Sequence, residues 1–310
     1  MKTIFLVIPV YNEGDQIDKS LLVIRRAVAE VDDVRFRFVI IDDGSTDHTS
    51  TLLLQMCAQF DDIEILGLTR NFGKEAALMA GLGHAGGDAV IVMDCDLQHP
   101  PELIPQMVRL WLAGAEVVNA CKTSRGKEGM VKKVLVKGFY RLFAMLAGKD
   151  LHDHSDFMLM DRKVVDAYLA LPERKRFFRG LISWMGYPSA RVCFDVPERE
   201  QGRSAWTSWN LARYSLVALS SFSSFPLYIV AILGAICLGL SLSIGGWTLY
   251  LKLVGQAVSG FTTVILLLLL IGSFIMIGLG LIGIYLGQIF NELKGRPFFY
   301  INKGKSRTRK

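Results

Sequence analysis

Charge is missing from two long stretches of this 310-residue chain. No Asp, Glu, Lys or Arg lies between Arg213 and Lys252, and none lies between Lys252 and Glu292. Runs of that length without charge are rare in soluble cores. Within them, Phe225–Leu251 and Phe261–Phe290 are each long enough to cross a hydrocarbon core, which takes about 20 helical residues. Acidic residues are missing from the C-terminus. From Lys294 onward there are seven basic residues (Lys294, Arg296, Lys303, Lys305, Arg307, Arg309, Lys310) and no acidic one. Taking those seven from the chain's 35 leaves 28 basic residues against 29 acidic, so the net charge of +6 resides in this tail. A basic juxtamembrane tail suits the cytoplasmic side of a membrane and argues against a nucleic-acid partner. Two spans return the chain to its starting side, which places the N-terminal domain and the tail together in the cytoplasm. The five cysteines (Cys57, Cys95, Cys121, Cys193, Cys237) lack any CxxC spacing. Free thiols in a reducing compartment are the simplest account. The apolar run Ile4–Val10 is too short to span and lacks a small-residue cleavage site, so no signal peptide is expected.

Hydrophobic residues make up 51% of the chain and charged residues 21%. That combination fits a soluble domain joined to membrane segments. The first 120 residues alternate short β-rich runs (3–8, 36–41, 63–68, 89–93, 116–120) with helical spacing (17–30, 47–60, 73–86, 101–113). This predicts an α/β domain with a largely parallel, helix-covered sheet. In such sheets ligands bind beyond the carboxyl ends of the strands. Asn12 and Glu13, Asp42 and Asp43, and Asp94 and Asp96 fall at those ends. Residues 122–150 are basic and amphipathic, and two readings stand: a solvated helix, or a helix lying on anionic headgroups. Trp206, Trp209 and Tyr214 ahead of the first span suit a helix in the membrane interface.

Gly81-Leu-Gly-His-Ala-Gly86 matches GxGxxG, but a helix precedes it and a strand follows. That order is the reverse of a dinucleotide fingerprint, so a nicotinamide or flavin site is rejected. The segment Met93-Asp-Cys-Asp-Leu-Gln-His-Pro-Pro-Glu102 carries more. Asp94 and Asp96 at a strand's end can share one hard divalent cation, which typically keeps waters and also takes substrate phosphates. In Asp42-Asp-Gly-Ser-Thr-Asp47, Gly44 permits a tight turn and Ser45 or Asp47 caps the next helix. Capping leaves the adjacent Asp42 and Asp43 unexplained, because their charges repel unless something binds there. Hydrogen bonding to uracil or ribose is one such use. His99 either faces the metal or merely precedes the prolines. His152, Asp153 and His154 read as a polar loop, since zinc sites want more ligands at defined spacing.

Taken together, Ile8-Pro-Val-Tyr-Asn-Glu13, Asp42-Asp-Gly-Ser45, Arg70-Asn-Phe-Gly-Lys-Glu75 and Asp94-Cys-Asp-Leu-Gln98 resemble the inverting family 2 glycosyltransferases with a GT-A fold. Ser155-Asp-Phe-Met-Leu-Met-Asp-Arg162, Trp184 and Arg199-Glu-Gln-Gly-Arg-Ser204, followed by two spans, resemble the polyprenyl-phosphate branch. That branch includes bactoprenol glucosyltransferases and dolichol-phosphate mannose synthases. The resemblance runs from Ile4 to about Tyr300. It implies a GT-A domain over 1–205, an interfacial helix over 206–224, two transmembrane helices within 225–290 (about 225–251 and 261–290) and a basic tail over 291–310. It implies a bacterial inner-membrane enzyme that moves a hexose from a nucleotide-sugar, UDP-glucose first among the choices, to polyprenyl phosphate for surface glycan modification. The same reaction with UDP-N-acetylglucosamine, UDP-galactose or GDP-mannose is the alternative. Self-association through the transmembrane helices is a further expectation.

The resemblance also implies residue roles. Pro9, Tyr11, Glu13 and Asp42 would line the nucleotide pocket. Asp94, Asp96 and Gln98 would hold the diphosphate, with Asp94 and Asp96 ligating Mg²⁺ or Mn²⁺. Asp96 and Asp156 would be catalytic, with Asp156 beside the attacking phosphate as a base or an orienting group. Arg199, Arg203 and Ser204 would bind the acceptor phosphate. Two positions depart from the family. Met158 stands where an arginine is frequent, and Ala205 stands where a lysine is usual. Arg203 or a basic residue within 122–141 is expected to compensate. Processive polysaccharide synthases carry a Gln-x-x-Arg-Trp motif that this chain lacks. A non-catalytic membrane scaffold is disfavoured by Asp94, Asp96 and Asp156.

Overall fold

A computed structural model describes residues 1–122, 154–173, 176–194, 225–255 and 260–308. The chain divides into two compact units, one formed by Met1–Ser204 with Arg296–Lys310 and the other by Ala205–Gly295.

The first unit is built on seven strands: β1 (Lys2–Val10), β2 (Val34–Asp42), β3 (Ile63–Gly67), β4 (Ala89–Val92), β5 (Val117–Lys122), β6 (His154–Asp161) and β7 (Ser189–Phe194). They form one sheet in the order β3-β2-β1-β4-β6-β5-β7. Helices α1 (Ile17–Ala29), α2 (Thr49–Gln59), α3 (Lys74–His84) and α4 (Ile104–Leu112) alternate with the first five strands, as the apolar spacing predicts. Helices α5 (Arg162–Ala170) and α6 (Phe178–Met185) follow β6. Strands β1 to β4 are parallel, and their near-continuous apolar runs reflect burial on both faces. Ile4, Leu6 and Ile8 of β1 and Ile40 of β2 are fully buried.

Beyond β4 one strand reverses within the otherwise parallel sheet. Strand β5 does not neighbour β4, because β6 lies between them and runs antiparallel to both. The pairing Val92↔Met158 therefore sets the carboxyl end of β4 beside the amino end of β6. Two steps further along the same register come Asp94 and Asp156. The site follows from this single reversal.

The C-terminal tail is not a free appendage. Ile65↔Arg307 and Leu68↔Ile301 are antiparallel bridges along the outer edge of β3. Ile65 and Arg307 exchange both backbone bonds at 2.9 Å, and the Asn302 N–H donates to the Gly67 carbonyl at 2.7 Å. Between the bridges a 3-10 turn at Lys303–Lys305 crosses Gly67, where a Cβ would lie 2.6 Å from Lys305 Cβ. An edge strand exposes unpaired backbone groups, and the tail satisfies those of β3. Periodicity gave no sign of this, since the segment is short, basic and far from β3 in sequence.

In the second unit, α7 (Phe225–Leu253) and α8 (Phe261–Leu293) cover the two uncharged runs. Both are long and apolar enough to cross a membrane. Leu242, Leu249, Met276 and Leu286 expose more than half of their surface. Segments 123–153 and 195–224 lie outside the described residues. They hold the basic amphipathic stretch, His152, Asp153, Arg199, Arg203, Ser204, Ala205 and the expected interfacial helix.

Candidate active site

The loops after β1 and β2 form one stitched surface. The Asn12 N–H donates to Ser45 Oγ (3.0 Å), the Glu13 N–H to Thr49 Oγ1 (2.9 Å) and the Gly14 N–H to Asp47 Oδ2 (3.2 Å). Asn12 adopts φ 55° and returns a bond, its Oδ1 accepting the Thr46 N–H at 2.9 Å. Asp47 also accepts the Thr49 N–H at 3.0 Å, so of the two capping candidates Asp47 serves the start of α2. Gly44 has φ 70°, and a Cβ there would lie 2.3 Å from the Arg70 carbonyl carbon. Only glycine lets this turn pass so close to the Arg70–Asn71 backbone.

Asp42 and Asp43 have partners within the protein that the sequence did not reveal. Both are buried, and each is satisfied by the protein itself. Asp42 accepts the Ser45 N–H at 2.8 Å and the Ser50 hydroxyl. Asp43 accepts the N–H groups of Phe72 (2.8 Å) and Gly73 (2.9 Å), the turn that launches α3. Their side chains serve different loops, and the Asp42 charge still acts on Asp43. Burial raises the pKa of Asp43 despite the two N–H donors.

The decisive constellation lies where β4 meets β6. Lys74, the first residue of α3, places its ammonium 2.6 Å from Asp94 Oδ1, 2.8 Å from Asp94 Oδ2 and 2.7 Å from Asp156 Oδ2. Arg179, near the start of α6, sets Nε 2.8 Å from Asp156 Oδ1. Burial works against ionising Asp156, but Arg179 and then Lys74 outweigh it and hold the carboxyl below its usual range. Burial likewise opposes the Lys74 charge, and Asp156 and Asp94 overcome it, raising that pKa. Asp96 lies in the loop beyond Asp94, where its Oδ1 accepts the Gln98 N–H at 3.0 Å. Leu97 between them has φ 54°, a conformation that costs about 1–2 kcal/mol in a residue other than glycine and clusters at functional sites. Glu13 belongs to the same acidic neighbourhood. Its pKa is raised chiefly by burial, with the charges of Asp96, Asp94 and Asp47 adding.

Comparison with known proteins gives this arrangement its context. The profile of the family described as glycosyl transferase family 2 matches residues 5–169, the region that carries every side chain just placed except Arg179. The chain belongs to this family. A glycosyltransferase of Synechocystis sp. is 38% identical over 96% of this chain and 94% of its own length. The SfII prophage-derived bactoprenol glucosyl transferase of Shigella flexneri is 37% identical over 97% of both chains. Among solved structures, glucosyl-3-phosphoglycerate synthase from Mycobacterium tuberculosis covers 71% of this chain and 79% of its own at 22% identity, with a TM-score of 0.48. That last likeness is too distant to inform the site.

The structure of this family 2 glycosyltransferase adds two residues that sequence reasoning left without roles. Lys74 was visible inside the Arg70–Glu75 motif, but nothing local showed which carboxylates it would meet. Arg179 stands in Arg176-Phe-Phe-Arg179, 23 residues beyond Asp156. It places a cation at Asp156, while Met158 is fully buried. His99 is buried against Phe157 and Phe194, with ring centroids at 5.7 and 5.9 Å, so it packs beside the Asp156 strand. Tyr11 is 43% exposed at the β1 end, open to a stacking partner. All five cysteines are free.

Glu75 is the second residue of α3 and accepts the Phe178 N–H at 3.2 Å. Burial, with the Asp156 charge adding, pushes its pKa up to about 7. A carboxyl raised in the fold ionises first in the unfolded chain. The stability it contributes is therefore full below pH 4.5 and declines as pH rises from there to about 7. Glu75→Gln should remove that slope, giving a relative gain on the order of 1–3 kcal/mol at pH 8 compared with pH 5. Denaturant titrations of the full chain in detergent at the two pH values measure it. An equal effect at both would refute the assignment.

Proposed function

We propose that this chain transfers a hexose, with glucose from UDP-glucose as the first choice, to a polyprenyl phosphate and inverts the anomeric centre. The observation that carries this reading is the meeting of Asp94 and Asp156 with Lys74 and Arg179, beside the loops of β1 and β2. The donor side is then formed by Pro9, Tyr11, Glu13 and Gln98 above the buried Asp42. The cationic side of Asp156 serves the acceptor, and Arg199, Arg203 and Ser204, outside the described residues, are assigned to the acceptor phosphate by the resemblance alone. The Shigella flexneri relative is named for a bactoprenol acceptor and a glucosyl group, which supports the same substrate class here.

An oxygen of the acceptor phosphate attacks the anomeric carbon from the face opposite the nucleoside diphosphate. The new C–O bond forms as the bond to the diphosphate breaks, and the departing electron pair stays on the diphosphate. A phosphate monoester carries about −1.5 to −2 charge at pH 7, so no strong base is needed to generate the nucleophile. Asp156, held ionised by Arg179 and Lys74, is better suited to fixing those cations against the acceptor phosphate than to taking a proton. Among the described residues no three His, Cys, Asp or Glu side chains converge as a metal site. Asp94 and Asp96, in an acidic neighbourhood that already raises the Glu13 pKa, are the two carboxylates fitted to hold Mg²⁺ or Mn²⁺ with substrate oxygens. Such an ion would supply charge neutralisation on the leaving diphosphate.

The test is transfer of labelled sugar to a short-chain prenyl phosphate by the purified chain in detergent, across a panel of nucleotide-sugars. Lipid-linked product from UDP-glucose with inverted anomeric configuration is expected. A different preferred donor corrects the sugar alone. Retention of configuration, or no transfer from any donor, overturns the proposal.

The membrane assignment belongs to the same reading. Arg307 is hydrogen-bonded to Ile65, and Arg296–Lys310 belongs with Met1–Ser204 to one compact unit, which favours one side of the bilayer for both. That supports an even number of crossings, and the basic tail supports the cytoplasmic face of a bacterial inner membrane. Lys303, exposed in the tail turn, reports the side. Lys303→Cys should gain no labelling over the parent from an impermeant thiol reagent in intact cells, and should gain it after permeabilisation. Labelling of intact cells would reverse the topology.

A further inference from the structure

We propose that Lys74 is a built-in stand-in for the catalytic cation: it neutralises Asp94 until a metal–nucleotide complex arrives, and so makes metal binding depend on the donor. This rests on the reading of Asp94 as a metal ligand.

Three features carry the inference. First, the ammonium engages both oxygens of Asp94 and one of Asp156, so the face of Asp94 that a cation would use is covered. A hard divalent ion and an ammonium cannot share those oxygens without direct repulsion. Second, Asp156 keeps Arg179 at 2.8 Å when Lys74 releases Asp94, so the exchange leaves no carboxylate bare. Asp94 passes to the metal, and Asp156 retains Lys74 and Arg179. Third, only the head of Lys74 must move. Its backbone start is clamped by Asp43 through Phe72 and Gly73, while the side chain remains 39% exposed on a flexible four-carbon stem.

The energetic consequence is an ordered site. Without donor, a divalent ion must displace an ammonium that two carboxylates already hold. With donor, the diphosphate brings its own ligands and negative charge, and the exchange becomes favourable. Lys74 therefore raises the coupling between metal and nucleotide, which by linkage is the same for either order of addition. It is a positioning residue, distinct from the groups that contact the reacting atoms.

The experiment measures Mn²⁺ binding by paramagnetic resonance on the full chain in detergent, with and without UDP. The parent should bind Mn²⁺ weakly alone and far more tightly with UDP. Lys74→Met, which keeps most of the side-chain volume and removes the charge, should bind Mn²⁺ alone about tenfold more tightly and show a correspondingly smaller gain from UDP. Lys74→Arg, which keeps the charge, should retain the parent's coupling and guards against a folding artefact in the methionine variant. Unchanged or weaker Mn²⁺ binding by Lys74→Met, in a protein with parental melting behaviour, overturns the proposal. If Lys74→Met does not fold, loss of coupling in Lys74→Arg overturns it as well. Asp94→Asn separates the premise from the inference. If UDP-dependent Mn²⁺ binding survives Asp94→Asn, the metal does not use Asp94 and the proposed metal site itself fails.

Discussion

Asp96→Asn should reduce sugar transfer at least about a hundredfold while leaving the fold intact. The two parts of that expectation rest on different atoms. In the structure Asp96 Oδ1 accepts the Gln98 N–H, a bond that an asparagine carbonyl can also accept. The loop carrying Leu97 in its left-handed conformation therefore keeps its support, and thermal melting should match the parent. The asparagine cannot supply the second negative charge that a hard divalent ion requires beside Asp94. The loss should appear in turnover, and excess chelator should inactivate the parent to a similar extent. Full activity of the parent in chelator would remove the metal from the mechanism. Full activity of the variant would remove Asp96 from it.

Asp156→Asn tests the other half of the reaction. The residue sits near the amino end of β6, separated from β1 by β4, and its partners are Lys74 and Arg179. Asparagine keeps the size and some of the hydrogen bonds but leaves Arg179 without its counter-charge. Transfer to prenyl phosphate should fall by at least about two orders of magnitude, the scale of losing a charge-stabilising group at a reacting centre. Affinity for the nucleoside diphosphate with metal should stay within a few-fold of the parent. Equilibrium titration separates the outcomes. If nucleotide affinity collapses in proportion to activity, Asp156 belongs to the donor site. If transfer is unaffected, it is a structural carboxylate.

Much of this fold was legible in the sequence. The apolar runs of β1 to β4 and the helices between them follow simple periodicities, because parallel strands buried on both faces leave continuous apolar stretches. The Asp94–Gln98 loop was legible for the same reason, since it directly follows such a run. What was not legible depends on long-range pairing. Strand β6 carries the fully buried Phe157-Met-Leu-Met160, whose alternation is too weak to mark a strand. Nothing local shows that it would enter antiparallel beside β4. Without that register, Asp94 and Asp156 remain two distant motifs, and Lys74 and Arg179 have no visible targets. The partners of Asp42 and Asp43 were hidden for a related reason. Adjacent carboxylates in sequence turned out to be anchored to different loops, each with its own backbone donors.

The pairing of the tail with β3 also imposes an order on synthesis. Strand β3 is made early, yet its outer edge stays open until residues 296–308 leave the ribosome. At roughly 5–20 residues per second, that edge waits about 10–50 seconds, during which both long apolar helices are made. An open edge strand invites pairing with another chain, so the interval is one of exposure to misassembly. This edge of the sheet is completed only after α7 and α8 exist. This family 2 glycosyltransferase therefore cannot complete its sheet before both helices long and apolar enough to cross a membrane have been produced.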